Sequence, residues 1–184
     1  GDVTEYGSLA QLKEARAILA KLRVPCHVIP GNHDTKWSES GGTDFVKLWG
    51  ADRFTFDFGG LRFVGLHEGP LLRMGDGHFA PQDVRWLDAA LRTLPDPAQP
   101  LVFVTHYPLD KNLDNWFVVL EKLKRFNPQV VLVGHGHSNR KLDFEGVPGV
   151  MGRSNPRARA KVGGYTLVDV SPEAMTFFER APGG

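Results

Sequence analysis

The stretch Val130–His137, with the sequence VVLVGHGH, decides the fold class of this chain. Its first four residues are β-branched or leucyl, which predicts a short buried strand. His135 and His137 follow directly, and the glycines beside them let the backbone turn tightly. Since histidine is the commonest metal ligand among side chains, the stretch predicts a strand that delivers metal ligands at its carboxyl end.

Three other segments carry polar, metal-competent side chains in comparable positions. The apolar run 26–30 precedes a Gly-Asn-His-Asp segment, the run 101–105 precedes a histidine, and a Gly-Asp pair opens the chain. Ligands of open α/β sheets bind beyond the carboxyl ends of the strands, so we expect these segments to converge. Carboxylate, amide and imidazole ligands without a thiolate suit manganese, iron or zinc. The residues expected to converge are Asp2, Asn32, His106, His135 and His137.

Helical and strand patterns alternate along the chain. The segment 101–133 reads as a βαβ unit with parallel strands, and Gly59-Gly60 predicts a hairpin. Ser8 is expected to cap the first helix, with Gln11 as its capping-box partner. The four strands after His137 are expected to form a second sheet packed on the first. The predicted helices are 8–23, 43–49, 81–94 and 115–126, and the predicted strands are 26–29, 53–58, 61–66, 101–105, 130–133, 140–144, 147–151, 165–170 and 175–179.

The ordered set Gly-Asp, Gly-Asn-His-Asp, His and Gly-His-x-His, over residues 1–137, resembles the calcineurin-like metallophosphoesterases. The resemblance implies an α/β (α+β) fold of two mixed sheets packed face to face, with flanking helices. It implies two metal ions bridged by Asp2, with Asn32, His106 and His135 on one ion and His137 helping to hold the other. It also implies a phosphorylated small molecule or a phosphodiester as substrate, and weakly favours the phosphodiesterase branch over phosphomonoesterases.

Catalysis by such a centre needs a proton for the leaving alkoxide, after a water activated by the metals has attacked phosphorus. His33 is our candidate for this general acid because it directly follows Asn32. In the opening segment Glu5 stands where the family pattern has a second aspartate, which in the family pairs with the acid histidine. Glu5 is therefore expected to orient His33, the alternative being an exposed loop carboxylate. Asp34 is expected to brace the turn rather than to bind metal.

One departure from the family pattern concerns the Asp-x-His motif that opens it, which this chain lacks. We expect residues 1–184 to be a single metallophosphoesterase domain whose natural chain continues upstream and includes the missing strands. The rival hypothesis is a divergent, non-catalytic binding or scaffold protein on the same fold with an incomplete metal site. A further domain beyond either terminus fits both hypotheses.

The composition of the chain argues against nucleic acid and membranes as partners. The net charge of +1 on 184 residues leaves no footprint for nucleic acid or an anionic membrane, and gives a nuclease no support. No apolar run is long enough to span a bilayer. The lone Cys26 excludes an intrachain disulfide, and both it and His27 are expected to pack inside a strand. His67 is either a core residue or a pocket rim. A basic run, either a solvated loop or a rim that binds phosphate, comprises Arg153, Arg157, Arg159 and Lys161.

Overall fold

The computed structural model describes residues 1–69, 75–153, 164–171 and 174–180. Five helices and eight strands lie in these ranges. The helices are α1 (Leu9–Leu19), α2 (Asn32–Thr35), α3 (Thr43–Trp49), α4 (Pro81–Arg92) and α5 (Trp116–Leu123). The strands are β1 (Phe54–Phe58), β2 (Leu61–Gly65), β3 (Pro100–Val104), β4 (Asn127–Val133), β5 (Arg140–Phe144), β6 (Val147–Met151), β7 (Tyr165–Val170) and β8 (Met175–Arg180).

Six strands form one mixed sheet in the order β1-β2-β3-β4-β6-β5, and β7 and β8 form a separate antiparallel pair. β3 and β4 are parallel and joined through α5, which confirms the predicted βαβ unit. β1 and β2 form the predicted hairpin. Its turn residues Gly59 and Gly60 both have positive φ, a conformation that glycine adopts without steric cost.

The main core lies between the six-stranded sheet and the helices α4 and α5. Leu87 and Leu91 of α4 are buried there, as their helical spacing predicts, together with Leu120 of α5. On the opposite face of the sheet, Val102 and Val130 contact the β7–β8 pair through residues such as Phe177. The predicted arrangement of two facing sheets with flanking helices is therefore confirmed.

The strand assignment after His137 was partly wrong. β5 and β6 extend the first sheet instead of joining the second, since β6 pairs in parallel with β4 and places Gly149 beside Val131. A side chain at Gly149 would overlap the ring of Phe144, so the sheet closes tightly at this point. Alternating apolar residues predict a strand but do not identify its partner, and this is why the sequence did not assign β5 and β6 correctly.

The expected strand at 26–29 is absent from the described structure. This segment belongs to neither sheet of the described structure and forms an irregular loop. Cys26 and His27 are exposed rather than packed in a core. The His27 ring stacks instead on Phe56, with ring centroids 4.2 Å apart.

The first helix is shorter and more exposed than predicted. Ser8 caps it by accepting a hydrogen bond from the Gln11 amide, but the Gln11 side chain accepts from the Tyr6 amide and closes no capping box. α1 ends at Leu19 in tighter turns. Of the apolar residues whose helical spacing predicts one face of this helix, only Leu12 is buried; the others are Leu9, Ala15, Leu19 and Leu22. Among the described residues, no helix combines the length and apolar character that crossing a membrane requires.

Candidate metal centre

A cleft of about 570 Å³ opens beyond the carboxyl ends of β3 and β4. This is the edge where the sequence predicted that ligands collect. Its lining combines acidic, imidazole and guanidinium groups with the apolar side chains of Ile29, Val104 and Leu132. The charged and imidazole side chains that line it include Asp2, His33, His106, His135, His137 and Arg153.

His106 and His135 come from the two central parallel strands. The hydrogen-bond ladder between β3 and β4 continues past both strand ends, since the Thr105 amide donates to Leu132 and the Gly134 amide donates to His106, each at 3.0 Å. The backbones that carry the two imidazoles are therefore tied directly to one another. The two rings lie edge to face with centroids 5.4 Å apart.

Asp2 and Asn32 come from segments without strands, and the buried carboxylate of Asp34 joins these segments. Asp34 accepts from the amides of Val3 and Gly31, and from both the amide and the hydroxyl of Thr4, at 2.7–3.2 Å. It thus braces the turn at Asn32, as the sequence predicted, and also fixes the opening segment that carries Asp2.

The four side chains meet within a space that fits one ion. Asn32 Oδ1 lies 3.1 Å from His106 Nε2 and 3.0 Å from His135 Nδ1, and His106 Nε2 lies 3.2 Å from Asp2 Oδ2. One ligand atom from each of Asp2, His106 and His135 lies within 4.8 Å of the others. Ligand atoms bound to one ion at about 2.1 Å are roughly 3 Å apart. The residues present therefore fit a divalent metal ion.

The backbone is strained at two of these four residues and at His137. Asp2, His135 and His137 have φ values of 57°, 62° and 56°, in the left-handed region that residues with a Cβ rarely adopt. Only one other non-glycine residue of the described chain, Glu145 in the β5–β6 turn, does so. Each such residue costs roughly 1–3 kcal/mol, and such strain clusters at functional sites.

The electrostatics of the cluster suit metal ligation. Burial acts to raise the pKa of Asp2, but the hydrogen bond and charge of His106 outweigh it and lower the pKa to about 2. Burial lowers the pKa of His106, against the opposing effect of Asp2. Burial and the neighbouring His106 lower the pKa of His135. A carboxylate and two neutral imidazoles are the protonation states that bind metal.

His33 lies beside this cluster and contacts Glu5. Its amide donates to Asp2 Oδ1 at 2.9 Å. Its ring Nδ1 lies 2.8 Å from the backbone carbonyl of Glu5, whereas the Glu5 carboxylate lies 4.0 Å away. A carbonyl only accepts, so Nδ1 carries the hydrogen. Glu5 therefore meets His33 mainly through its backbone rather than through the carboxylate that the sequence singled out.

The remaining predicted site residues lie at the rim. His137 is exposed and lines the cleft, but it does not belong to the compact cluster of three ligands. Arg153 lines the same cleft and pairs with Glu179 of β8. The other basic residues of the predicted rim lie outside the described residues; they are Arg157, Arg159 and Lys161.

Sequence reasoning missed two residues close to the cluster and left a third undecided. Glu68 is completely buried, and its carboxylate accepts from the Tyr107 amide. Tyr107 stacks on His135. His67 is buried and lines a second cleft of about 280 Å³. Burial raises the pKa of Glu68 to about 8 and lowers that of His67 to about 4. For His67 and Glu68 the available signal was their position just past β2, which matches that of His106 past β3.

Comparisons with known proteins support the family resemblance. A sequence model described as calcineurin-like phosphoesterase matches residues 1–139. The fold is similar to the crystal structure of a dimetal phosphatase from Danio rerio, with a TM-score of 0.63 and 17% identity over 94% of this chain and 74% of that chain. Together they confirm the superfamily and the fold class.

A curated relative is the uncharacterised protein YvnB of Bacillus subtilis (strain 168). It is 29% identical over 163 residues, which cover 78% of this chain and 13% of that protein. The chain thus spans about an eighth of the length of this relative.

Proposed function

Because this chain belongs to the calcineurin-like phosphoesterase family, we propose that it hydrolyses a phosphate ester at the cleft formed by Asp2, His106 and His135. The observation that carries the proposal is the convergence of these three ligand atoms, with Asn32 Oδ1 within 3.1 Å of both imidazoles. Two divalent or trivalent ions are the expected cofactors, and manganese, iron and zinc all suit the ligand set.

The first ion would be held by the compact cluster, and Asp2 would share its carboxylate with a second ion that His137 helps to bind. When bound, such ions polarise the phosphoryl group and lower the pKa of a water molecule so that it can attack at neutral pH. The strained backbones of Asp2, His135 and His137 support this assignment, because strain at three residues of one cleft is expected where function requires a fixed geometry.

His33 would supply the proton that the leaving group needs. With its Nδ1 hydrogen held by the Glu5 carbonyl, the ring presents Nε2 as the atom that gives up a proton. As the water oxygen bonds to phosphorus and the ester bond breaks, this proton passes to the departing alkoxide. Glu5 orients the ring through its carbonyl, and its carboxylate adds negative charge 4.0 Å away.

Arg153 is the proposed substrate-binding residue. Among the described residues that line the cleft, it is the only arginine or lysine. A guanidinium keeps its charge at every physiological pH and binds phosphate oxygens in a fork geometry. Its ion pair with Glu179 holds it at the cleft. The proposed substrate is a phosphorylated small molecule or a phosphodiester, and a phosphodiester is weakly preferred.

The test is metal-dependent hydrolysis by the chain after removal of bound metal. Manganese, iron or zinc is added back, and the rates for p-nitrophenyl phosphate and bis(p-nitrophenyl) phosphate are compared. We expect turnover that requires metal and that His135→Ala abolishes. His27→Ala is the matched control, since this histidine is exposed, stacks on Phe56 and does not line the cleft.

Two results would count against the proposal. Metal binding without hydrolysis of either ester would favour the binding or scaffold protein that the missing Asp-x-His motif leaves open. If the chain binds no metal, the proposal is wrong, because the cluster of Asp2, His106 and His135 would then not be a metal site.

A further inference from the structure

The buried carboxyl group of Glu68 has no part in the proposed hydrolysis, yet it lies directly behind the metal cluster. We infer that Glu68 is a positioning residue that fixes the His106–Tyr107 backbone, so that the Tyr107 ring holds the His135 imidazole in place for the metal. This inference rests on the proposed function and extends it, since it names the residues that orient His135 for metal binding.

Glu68 lies where the sheet ends. The Leu66 amide still donates to Val104, at 3.0 Å, so β2 and β3 remain paired up to this point. Two residues later the Glu68 side chain takes over from the backbone, and its Oε1 accepts from the Tyr107 amide at 2.6 Å. Glu68 is 0% exposed, so no solvent competes for this bond.

The hydrogen bond from the Tyr107 amide to Glu68 stands where the backbone ladder between β3 and β4 stops. The Thr105 amide and the His106 carbonyl continue the ladder with β4, at Leu132 and Gly134. The Tyr107 amide, two residues after that of Thr105, turns to the other side of β3 and donates to Glu68. A buried amide without an acceptor is costly, so the carboxyl group sets the direction in which the chain leaves β3.

The Tyr107 ring transmits this geometry to both imidazoles. It stacks on His135 with centroids 4.2 Å apart and an angle of 29°, and it meets His106 edge to face with centroids 5.7 Å apart. His135 is only partly buried, so this stacking is a main constraint on its ring. Groups that hydrogen-bond to metal-binding histidines orient the ring, and their removal typically weakens metal affinity 10–100-fold. We expect an effect of this size from losing the Tyr107 stack.

The experiment compares Glu68→Gln, which keeps an oxygen acceptor at Oε1, with Glu68→Met, which keeps the approximate size and removes the acceptor. Manganese affinity is measured by calorimetry. We expect Glu68→Gln to bind within about threefold of the parent chain and Glu68→Met to bind about 10–100-fold more weakly. Leu87→Ala, a core truncation in α4 away from the cleft, is the control for general destabilisation and should leave the affinity unchanged.

A second readout needs neither metal nor activity. The ring-current shift that Tyr107 imposes on the His135 ring protons is recorded by NMR in the metal-free chain. It should be retained in Glu68→Gln and Tyr107→Phe and lost in Glu68→Met and Tyr107→Leu. If Glu68→Met does not fold, Tyr107→Leu carries the affinity measurement, because it removes the ring and keeps the amide.

Three outcomes would overturn the inference: parental affinity in Glu68→Met or Tyr107→Leu, equal damage in Glu68→Gln and Glu68→Met, or an equal loss in Leu87→Ala. Failure of the proposed function is distinguishable. A chain that binds manganese but hydrolyses nothing refutes the hydrolase and leaves the affinity test intact. A chain that binds no manganese still shows by its ring-current shifts whether Glu68 positions His135.

Discussion

The two halves of the candidate metal centre are held in place by different means. In the sheet half, His106 and His135 extend from β3 and β4, whose backbone ladder runs on to Thr105 and Gly134. In the loop half, Asp2 and Asn32 lie in the segments 1–7 and 31–35, which contain no strand. There the carboxylate of Asp34 accepts four hydrogen bonds and performs the task of a ladder.

This difference sets where the centre is vulnerable. A backbone ladder distributes the positioning of a ligand over many bonds, none of which depends on a particular side chain. The loop half concentrates the same task in one buried carboxylate. We therefore expect single substitutions to displace the backbone at Asp2 and Asn32 more readily than the backbone at His106 and His135. Substitutions of a ligand, and those of Glu68 or Tyr107 that act on the His135 ring, are exceptions.

The largest effect is expected from Asp34→Ala. It leaves the buried donor at Gly31 and the half-buried donors at Thr4 without their acceptor, so we expect a loss on the order of 3–5 kcal/mol in the free energy of unfolding. Metal affinity should fall with it because the segments that carry Asp2 and Asn32 come apart. Urea unfolding of the metal-free chain and manganese titration measure the two effects.

The control for this substitution is Asp143→Ala, which removes a carboxylate that also accepts from a backbone amide, at Gly146 in the exposed β5–β6 turn. It should cost under about 1 kcal/mol and leave metal affinity alone. A loss for Asp34→Ala no greater than this would show that the loop half has another means of support.

The next largest effect is on metal affinity and is expected to differ between two glycines, Gly31 in the loop half and Gly134 in the sheet half. A Cβ added at Gly31 would overlap Asp2, whereas one at Gly134 would meet only His106 atoms at 3.4 Å or more, an ordinary contact. We expect Gly31→Ala to weaken manganese binding about 100-fold, since the carboxylate of Asp2 must move away. Gly134→Ala should stay within about threefold of the parent chain. Equal losses would contradict the asymmetry between the halves.

The same contrast explains how much the sequence could predict. The ligands of the sheet half follow apolar runs, and a parallel βαβ unit brings the ends of its strands together, so the approach of His106 to His135 was predictable. The same argument placed Asn32 of the loop half at the end of a strand over 26–29, but this strand does not form, so only the family resemblance gave a sound reason to expect Asp2 and Asn32 here.

The side-chain hydrogen bonds that brace the site from distant positions were not predicted from the sequence. Glu68 and Tyr107 are 39 residues apart, and Asp34 lies 31 residues from Val3. No periodicity marks which carboxylate will be buried beneath which amide. For the same reason β5 and β6 were wrongly assigned to the second sheet. The sequence predicted β6 as a strand but not its pairing with β4.

A more selective effect is expected from His33→Ala, because His33 belongs to the loop half without joining the ligand cluster. Metal affinity should be kept, while hydrolysis of esters with poor leaving groups, such as alkyl phosphates, slows by about 10²–10³-fold. p-Nitrophenyl esters, whose leaving group needs no proton, should change only a few-fold. Equal slowing of both ester classes would remove His33 from the role of acid.

The smallest effect concerns His67, which lies where the two halves meet, in the second cleft beside Pro30 and Thr35. Burial lowers its pKa to about 4, although Asp52 and the Pro30 backbone act to raise it, and Arg53 and His106 reinforce the lowering. The unfolded chain therefore binds more protons than the folded chain between about pH 6.5 and pH 4, so stability falls as the pH falls through this window. Between pH 7 and pH 5 the loss of stability from this group is about 2 kcal/mol.

The test is urea unfolding of the metal-free chain at several pH values. The His67→Gln variant should lose about 2 kcal/mol less stability between pH 7 and pH 5 than the parent chain, whereas His27→Gln should follow the parent chain. Parallel curves for all three would mean that His67 is as easily protonated in the folded chain as in the unfolded one, and that the junction between the halves is open to water.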